Sequence, residues 1–174
     1  MRTILIAHKD VEFSNSLVAE LRAAGYHVID CPGPWPPAER CIRCDKGFCP
    51  LTEAADLMIY DPQMSAVDGE GNRHNLAIDS ALAHPDVPMV VAWSPATTAD
   101  AGTLRAIRTQ APHVQVAAPS PEARARQVRK LMKAACIRRQ HIAERRIHAA
   151  FIDGLADAGV GALADRVDAV PRTH

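Results

Sequence analysis

Apolar and polar positions alternate in blocks along the first 135 residues. Thr3 to Ala7 is a short apolar run suited to a strand buried on both faces; after His8-Lys9-Asp10, apolar positions Phe13, Leu17, Val18 and Leu21 recur at helical spacing. Asp10 is placed to cap that helix, Glu12 suits its first turn, and Gly25 suits its end. Four further strands are predicted at Tyr26 to Ile29, Leu57 to Tyr60, Val87 to Trp93 and Val114 to Ala117. Helical patterns fall between and after them: a weak one from Leu76 to Leu82, and one behind Thr97 and Thr98 carrying Leu104, Ile107 and Ala111. A third is opened by Ser120-Pro121-Glu122 and carries Val128, Leu131, Met132 and Ala135. Strands alternating with helices predict an α/β domain on a parallel sheet. Its working site then falls at the carboxyl ends of the strands, near His8, Lys9, Asp10, Cys31, Asp61, Ser94 and Pro119.

Two segments interrupt the pattern. Residues 31 to 50 hold five prolines and two glycines, including Pro34-Trp35-Pro36-Pro37, and predict an irregular loop. Asp68-Gly69-Glu70-Gly71-Asn72 predicts a second, polar loop.

Composition narrows the class. A chain of 174 residues, 48% hydrophobic and 23% charged, is a soluble globular domain with room for an appendage. Twenty basic against twenty acidic residues remove any simple electrostatic case for nucleic acid binding by the whole molecule. The opening apolar stretch is too short for a signal peptide, and no apolar run approaches the roughly 20 residues of a membrane span. The expectation is a cytoplasmic protein with no membrane partner, in which thiols stay reduced and clustered cysteines tend to be metal ligands.

Four of the five cysteines lie within 19 residues, spaced Cys31-x9-Cys41-x2-Cys44-x4-Cys49. The two-residue gap lets Cys41 and Cys44 face one ion from a tight turn, and Gly47 gives the backbone freedom to bring Cys49 back. Four thiolates suit tetrahedral zinc; an iron-sulfur cluster is the alternative cofactor, and free thiols or a reversible disulfide remain open. A bound ion would order a loop that has few apolar residues of its own. Cys136, in a helical pattern, reads as a small packed residue.

From Arg2 to Ala135 the chain resembles the receiver domain of bacterial two-component response regulators. Ile4-Leu5-Ile6-Ala7-His8-Lys9-Asp10 is similar to that family's first strand and acidic turn, and Leu57-Met58-Ile59-Tyr60-Asp61-Pro62-Gln63-Met64 to its third strand with the phosphoacceptor aspartate. Asp68-Gly69 resembles the Asp-Gly that follows, Pro88 to Ser94 the fourth strand with its hydroxyl switch residue, and Ala118-Pro119 the family's Lys-Pro. The resemblance implies a flavodoxin-like, doubly wound sheet of five parallel strands over residues 1–135. The loop at 31–50 replaces the second helix, and residues 136–174 form a helical extension.

It also implies a pocket of Asp61, His8, Lys9, Asp10 and Ser94, and here the chain departs from the family. The acidic pair that holds Mg²⁺ becomes His8-Lys9, and the lysine becomes Ala118. A Lys9 ammonium standing in for the metal, paired with Asp61, is the expected arrangement. The expected function is a non-catalytic signalling module, a pseudo-receiver not phosphorylated at Asp61. The alternatives are a phosphorylatable receiver, or a redox or metal sensor acting through the cysteines. No catalytic residues are expected, since no GxSxG, HExxH or phosphate-binding glycine loop occurs.

Between Arg124 and Arg146, nine Lys and Arg stand against the single acid Glu144. Ile147, Phe151 and Leu155 recur every four residues beyond the receiver-like boundary, an apolar face that calls for a protein partner or a second copy through the C-terminal helices. Nucleic acid is the weaker partner for this basic segment, which has few aromatics for stacking.

Overall fold

The computed structural model describes residues 2–31, 33–34, 41–96 and 100–157. Strands β1 (Thr3–Ala7), β2 (His27–Cys31), β3 (Leu57–Tyr60), β6 (Met89–Val91) and β7 (Gln115–Val116) form a parallel sheet in the order β2-β1-β3-β6-β7. This is the doubly wound α/β architecture expected from the pattern of apolar runs. β1 and β3 are central, and every residue of β3 is buried, which is why both read as continuous apolar runs.

The helices are distributed between the two faces of the sheet. α1 (Val11–Ala23) and the first part of α6 (Pro121–Asp157) cover one face, where Leu17, Leu21, Val128 and Met132 pack on Ile4, Ile6, Leu57 and Ile59. α4 (Leu76–Ala83) and α5 (Ala101–Gln110) cover the other, where Leu76, Ala81 and Ile107 meet Leu5, Met58, Tyr60 and Met89. The chain divides into two units, residues 1–136 and 137–174. In the second, the described residues are helical through Asp157, and the side chains of Ile137 and Ile147 are exposed.

Four expectations need correction. Cys136 is exposed on α6 and is not a packed residue. The second strand starts one residue later than predicted and runs on to Cys31, so this cysteine ends a strand and does not begin a loop. The following segment is not wholly irregular: α2 (Ile42–Lys46) ends on Gly47 in the left-handed region, and α3 (Pro50–Glu53) starts with proline where no N–H is needed. The polar loop at 68–72 is the turn of an antiparallel hairpin, β4 (Ser65–Val67) with β5 (Arg73–Asn75). The predicted caps Thr97 and Thr98 lie outside the described residues; Asp100 caps α5, accepting from Gly102 N and Thr103 N.

Candidate functional site

The five residues named from the sequence all stand just past the carboxyl ends of three neighbouring strands, β1, β3 and β6. Asp61 follows β3 directly and is 2% exposed, and its Oδ1 accepts from Gln63 N at 2.8 Å. His8 follows β1 and is also buried. Its Nδ1 accepts from Asp10 N at 3.1 Å, and its Nε2 meets the Ala92 carbonyl at 3.2 Å. Because a carbonyl only accepts and an amide N–H only donates, those partners assign the neutral tautomer with the proton on Nε2. His8 thereby ties the end of β1 to the chain leaving β6, using both ring nitrogens.

Asp10 is divided between two tasks. Oδ1 caps α1 by accepting from Phe13 N at 3.0 Å, and Oδ2 accepts the Ser94 hydroxyl. The Phe13 amide first, and then the Ser94 hydroxyl, hold its pKa below the ordinary 3.8. Lys9 departs from expectation. Its exposed ammonium donates to Gln63 Oε1 at 2.8 Å, and among the described residues no ion pair joins it to Asp61. A solvated lysine on a flexible stem finds a neutral acceptor two residues past the buried carboxylate.

Two further residues lie at this end of the sheet and are not named as site residues from the sequence: Gln127 is not named at all, and Phe13 is read only as part of the apolar stripe of α1. Gln127 on α6 accepts from Ala118 N at 2.9 Å and donates to the Val116 carbonyl at 2.8 Å, fixing the loop where the family carries Lys-Pro. Phe13 packs on His8 with ring centroids 4.7 Å apart, while the Arg124 guanidinium lies 5.9 Å from the Phe13 centroid and bonds Glu20 at 3.1 Å. No periodicity marks Gln127, since it works through hydrogen bonds across the sheet end.

The four clustered cysteines come to one region, on the sheet face that carries α4 and α5. Cys31, Cys41 and Cys44 pack against that core, and all four thiols are free and partly exposed. Burial raises the Cys31 thiol pKa, with the neighbouring Cys49 and Cys41 adding to the shift. Burial pushes Cys44 up to about 11, reinforced by the neighbouring Cys41. The donor set suits a thiophilic ion, but among the described residues no three His, Cys, Asp or Glu side chains stand close enough together to hold one. Any ion would have to draw the thiols inward.

A third cluster lies on the hairpin. His74 Nε2 is 3.0 Å from Asp68 Oδ2 and its Nδ1 is 3.2 Å from Asp79 Oδ2, so both ring nitrogens face carboxylates and tie β5 to α4. The Asp68 bond raises the His74 pKa above 6.5, while His74 and Asn72 hold Asp68 well below the usual carboxylate range.

No family model matches the sequence, and no curated protein matches it. Solved structures do match the fold. A CheY-like response regulator receiver domain from Methanospirillum hungatei JF-1 aligns with TM-score 0.53 at 13% identity, covering 78% of this chain and 96% of its own. The signal receiver domain of a histidine kinase from Syntrophus aciditrophicus aligns with TM-score 0.52 at 17% identity, covering 77% and 92%. NtrX from Brucella abortus aligns with TM-score 0.54 at 14% identity, covering 82% of this chain and 29% of its own. The fold is therefore receiver-like, as the motifs implied. Among the described residues no helix is long and apolar enough to cross a membrane.

Proposed function

We propose that the chain is a cytoplasmic, non-catalytic signalling module, a pseudo-receiver in which Asp61 does not accept a phosphoryl group. The observation that carries this reading is the buried His8 ring, held by Asp10 N and the Ala92 carbonyl at the position of a metal-binding acid. Phosphoryl transfer to a carboxylate needs a hard cation with oxygen ligands and positive charge on the transferring group. Here Asp10 and Ser94 bond each other, Lys9 bonds Gln63, and the lysine of the family's Lys-Pro is Ala118. The test is incubation with acetyl phosphate and Mg²⁺ followed by intact mass; an unchanged mass is expected, and stoichiometric addition of one phosphoryl group overturns the reading.

The second part of the proposal is a structural metal, zinc in the first instance, in the region of Cys31, Cys41, Cys44 and Cys49. It is supported by four soft donors gathered on a segment that carries two helices of only five and four residues. The C-terminal helix would supply contact with a protein partner or a second copy. A structure containing a trimeric coiled coil aligns over 95% of this chain with TM-score 0.50 at 16% identity, a likeness of fold alone.

A further inference from the structure

His74 on β5 stands between two carboxylates, with Nε2 3.0 Å from Asp68 Oδ2 in the hairpin turn and Nδ1 3.2 Å from Asp79 Oδ2 on α4. A neutral imidazole donates from one nitrogen only, and an ionised carboxylate only accepts. Carboxylates at hydrogen-bond distance from both nitrogens therefore fit the imidazolium, which donates twice. The His8 ring is the contrast, since it faces one donor and one acceptor. The upward pKa shift of His74, caused first by Asp68 and then by Asp79, agrees with this assignment.

Asp79 has a second cation within reach. It lines a cleft of about 320 Å³ with Arg43, Cys44, Gly47 and His74. The buried Arg43 guanidinium donates to the Asp79 backbone carbonyl at 2.8 Å and faces His84 Nε2 at 3.3 Å, and a guanidinium has further N–H donors to spare. The charged and titratable groups around the centre are thus Asp68 from the turn, Asp79 from α4, Arg43 and Cys44 from α2, and, next to Arg43, His84 with Glu53 at 3.6 Å. On β5 itself Arg73 donates to Ser65, and β4 places the uncharged Ala66 opposite His74. Cys44, with its pKa pushed up to about 11, stays protonated.

We propose that His74 and Arg43 compete for Asp79 as the two ends of a proton-driven switch: protonated His74 lets Asp79 tie α4 to the hairpin, and neutral His74 sends the carboxylate to Arg43, tying α4 to α2. The step releases one proton from His74 to solvent. The remaining N–H stays on Nε2, where the shorter bond to Asp68 is, so Nδ1 presents a lone pair to the Asp79 carboxylate. Two acceptors repel, while the guanidinium on the same cleft offers a charge-assisted bond. Asn75 caps α4 by accepting from Ala77 N and Ile78 N, so the base of the hairpin stays joined to the helix and only its turn, residues 68–72, loosens. Arg43 also lines a small cavity of about 20 Å³ with Cys31, Cys41, Cys49 and Tyr60, which carries the α2 end of the switch to the thiols. Proton concentration thereby becomes an input to the module that is independent of any chemistry at Asp61.

The test follows the full chain by NMR from about pH 5 to about pH 9. It reads the ring ¹⁵N shifts of His74, the carboxyl ¹³C shift of Asp79, and amide hydrogen exchange, corrected for its intrinsic pH dependence, over residues 42–46 and 68–72. At the low end both His74 nitrogens should be protonated, with a midpoint above 6.5. Through that midpoint the Asp79 carboxyl should shift, exchange at 68–72 should quicken and exchange at 42–46 should slow, each by about two- to fivefold, the scale of one half-exposed ion pair. Asp79→Asn keeps the backbone carbonyl that Arg43 uses; it should lower the His74 midpoint toward 6.5 and remove the pH response at 42–46. His84→Gln removes the other titrating ring beside Arg43 and should leave that response in place. A neutral ring signature for His74 at about pH 6 overturns the imidazolium assignment and the switch with it. An Asp79 carboxyl that does not move with His74, or a response at 42–46 that survives Asp79→Asn or disappears in His84→Gln, overturns the exchange of partners.

Discussion

Ser94 donates its hydroxyl to the carboxylate of Asp10, the residue that also caps α1, so one side chain joins the loop after β6 to the start of the first helix. In Ser94→Ala the Asp10 carboxylate loses one of the two main groups that lower its pKa, and the value moves up toward 3.8. Carboxyl NMR titration measures this directly. The stabilisation carried by Asp10 is present above its unfolded value and is lost as pH falls through the lowered folded value. Ser94→Ala should therefore shift the onset of acid unfolding to higher pH. An unchanged Asp10 titration would show that the Ser94 contact does not contribute in solution.

His74 gives a pH dependence of opposite sign. A raised folded pKa means that its contribution is complete below about 6.5 and disappears as pH rises through the raised value. The thermal midpoint should fall over that window, and His74→Gln should flatten this part of the profile. The imidazole C–H titration checks the cause, since it must follow the same pH. Asp68, held down by the same bond, keeps its charge throughout, so the step belongs to the histidine.

Gly33 sits in the left-handed region at φ +72°, and a Cβ there would run into Met64 Cε. Gly33→Ala should destabilise by about 1–2 kcal/mol, combining left-handed strain with displacement of a flexible methionine end. Met64 N donates to the Asp61 carbonyl at 3.1 Å, so the displacement reaches the turn behind the pocket. Urea unfolding of Gly33→Ala, Met64→Ala and the double variant separates the two contributions. Met64→Ala should remove the clash but leave the strain, making the double variant more stable than the sum of the single losses predicts.

These cases show which features the sequence could carry. β1 and β3 were legible because burial on both faces leaves only apolar residues in Ile4-Leu5-Ile6-Ala7 and Leu57-Met58-Ile59-Tyr60. β7 was placed but overextended, since it is an exposed two-residue edge and apolar flanks mimic its continuation. The hairpin was missed because Arg73-His74-Asn75 has no apolar alternation. Its signal was chemical: Asp68 Oδ1 accepts from Glu70 N and Asn72 N, both at 2.9 Å, and closes the turn. The pocket residues followed from strand ends. Lys9 shows the limit, because spacing fixes where its Cα stands but not which acceptor a four-carbon stem reaches.

Tyr60 connects the central strand to the thiol cavity, and its hydroxyl accepts from the fully buried Ser80 Oγ at 3.0 Å. Burial raises its pKa, so it remains protonated across the working range. Tyr60→Phe leaves Ser80 without that acceptor and should cost about 1–2 kcal/mol in urea unfolding. Tyr60→Phe/Ser80→Ala should recover part of the loss, because removing both partners leaves no orphan. A loss that the double variant does not reduce would place the effect in packing around the cavity.

The pocket can also be tested by restoration. Replacing His8 and Lys9 by aspartate returns oxygen ligands beside Asp61, and Ala118→Lys returns a cation to the strand end. The triple variant is expected to gain one phosphoryl group from acetyl phosphate in a Mg²⁺-dependent manner, seen by intact mass. Asp61→Asn in the same background should abolish the gain. His8→Asp removes the ring that joins Asp10 N to the Ala92 carbonyl, so thermal unfolding must accompany the assay. A folded triple variant that still gains no phosphoryl group would mean that oxygen ligands and the added lysine are not enough to make Asp61 an acceptor. The obstacle would then be the Asp10–Ser94 bond, and Asp10→Ala in the triple background is the variant that separates the two.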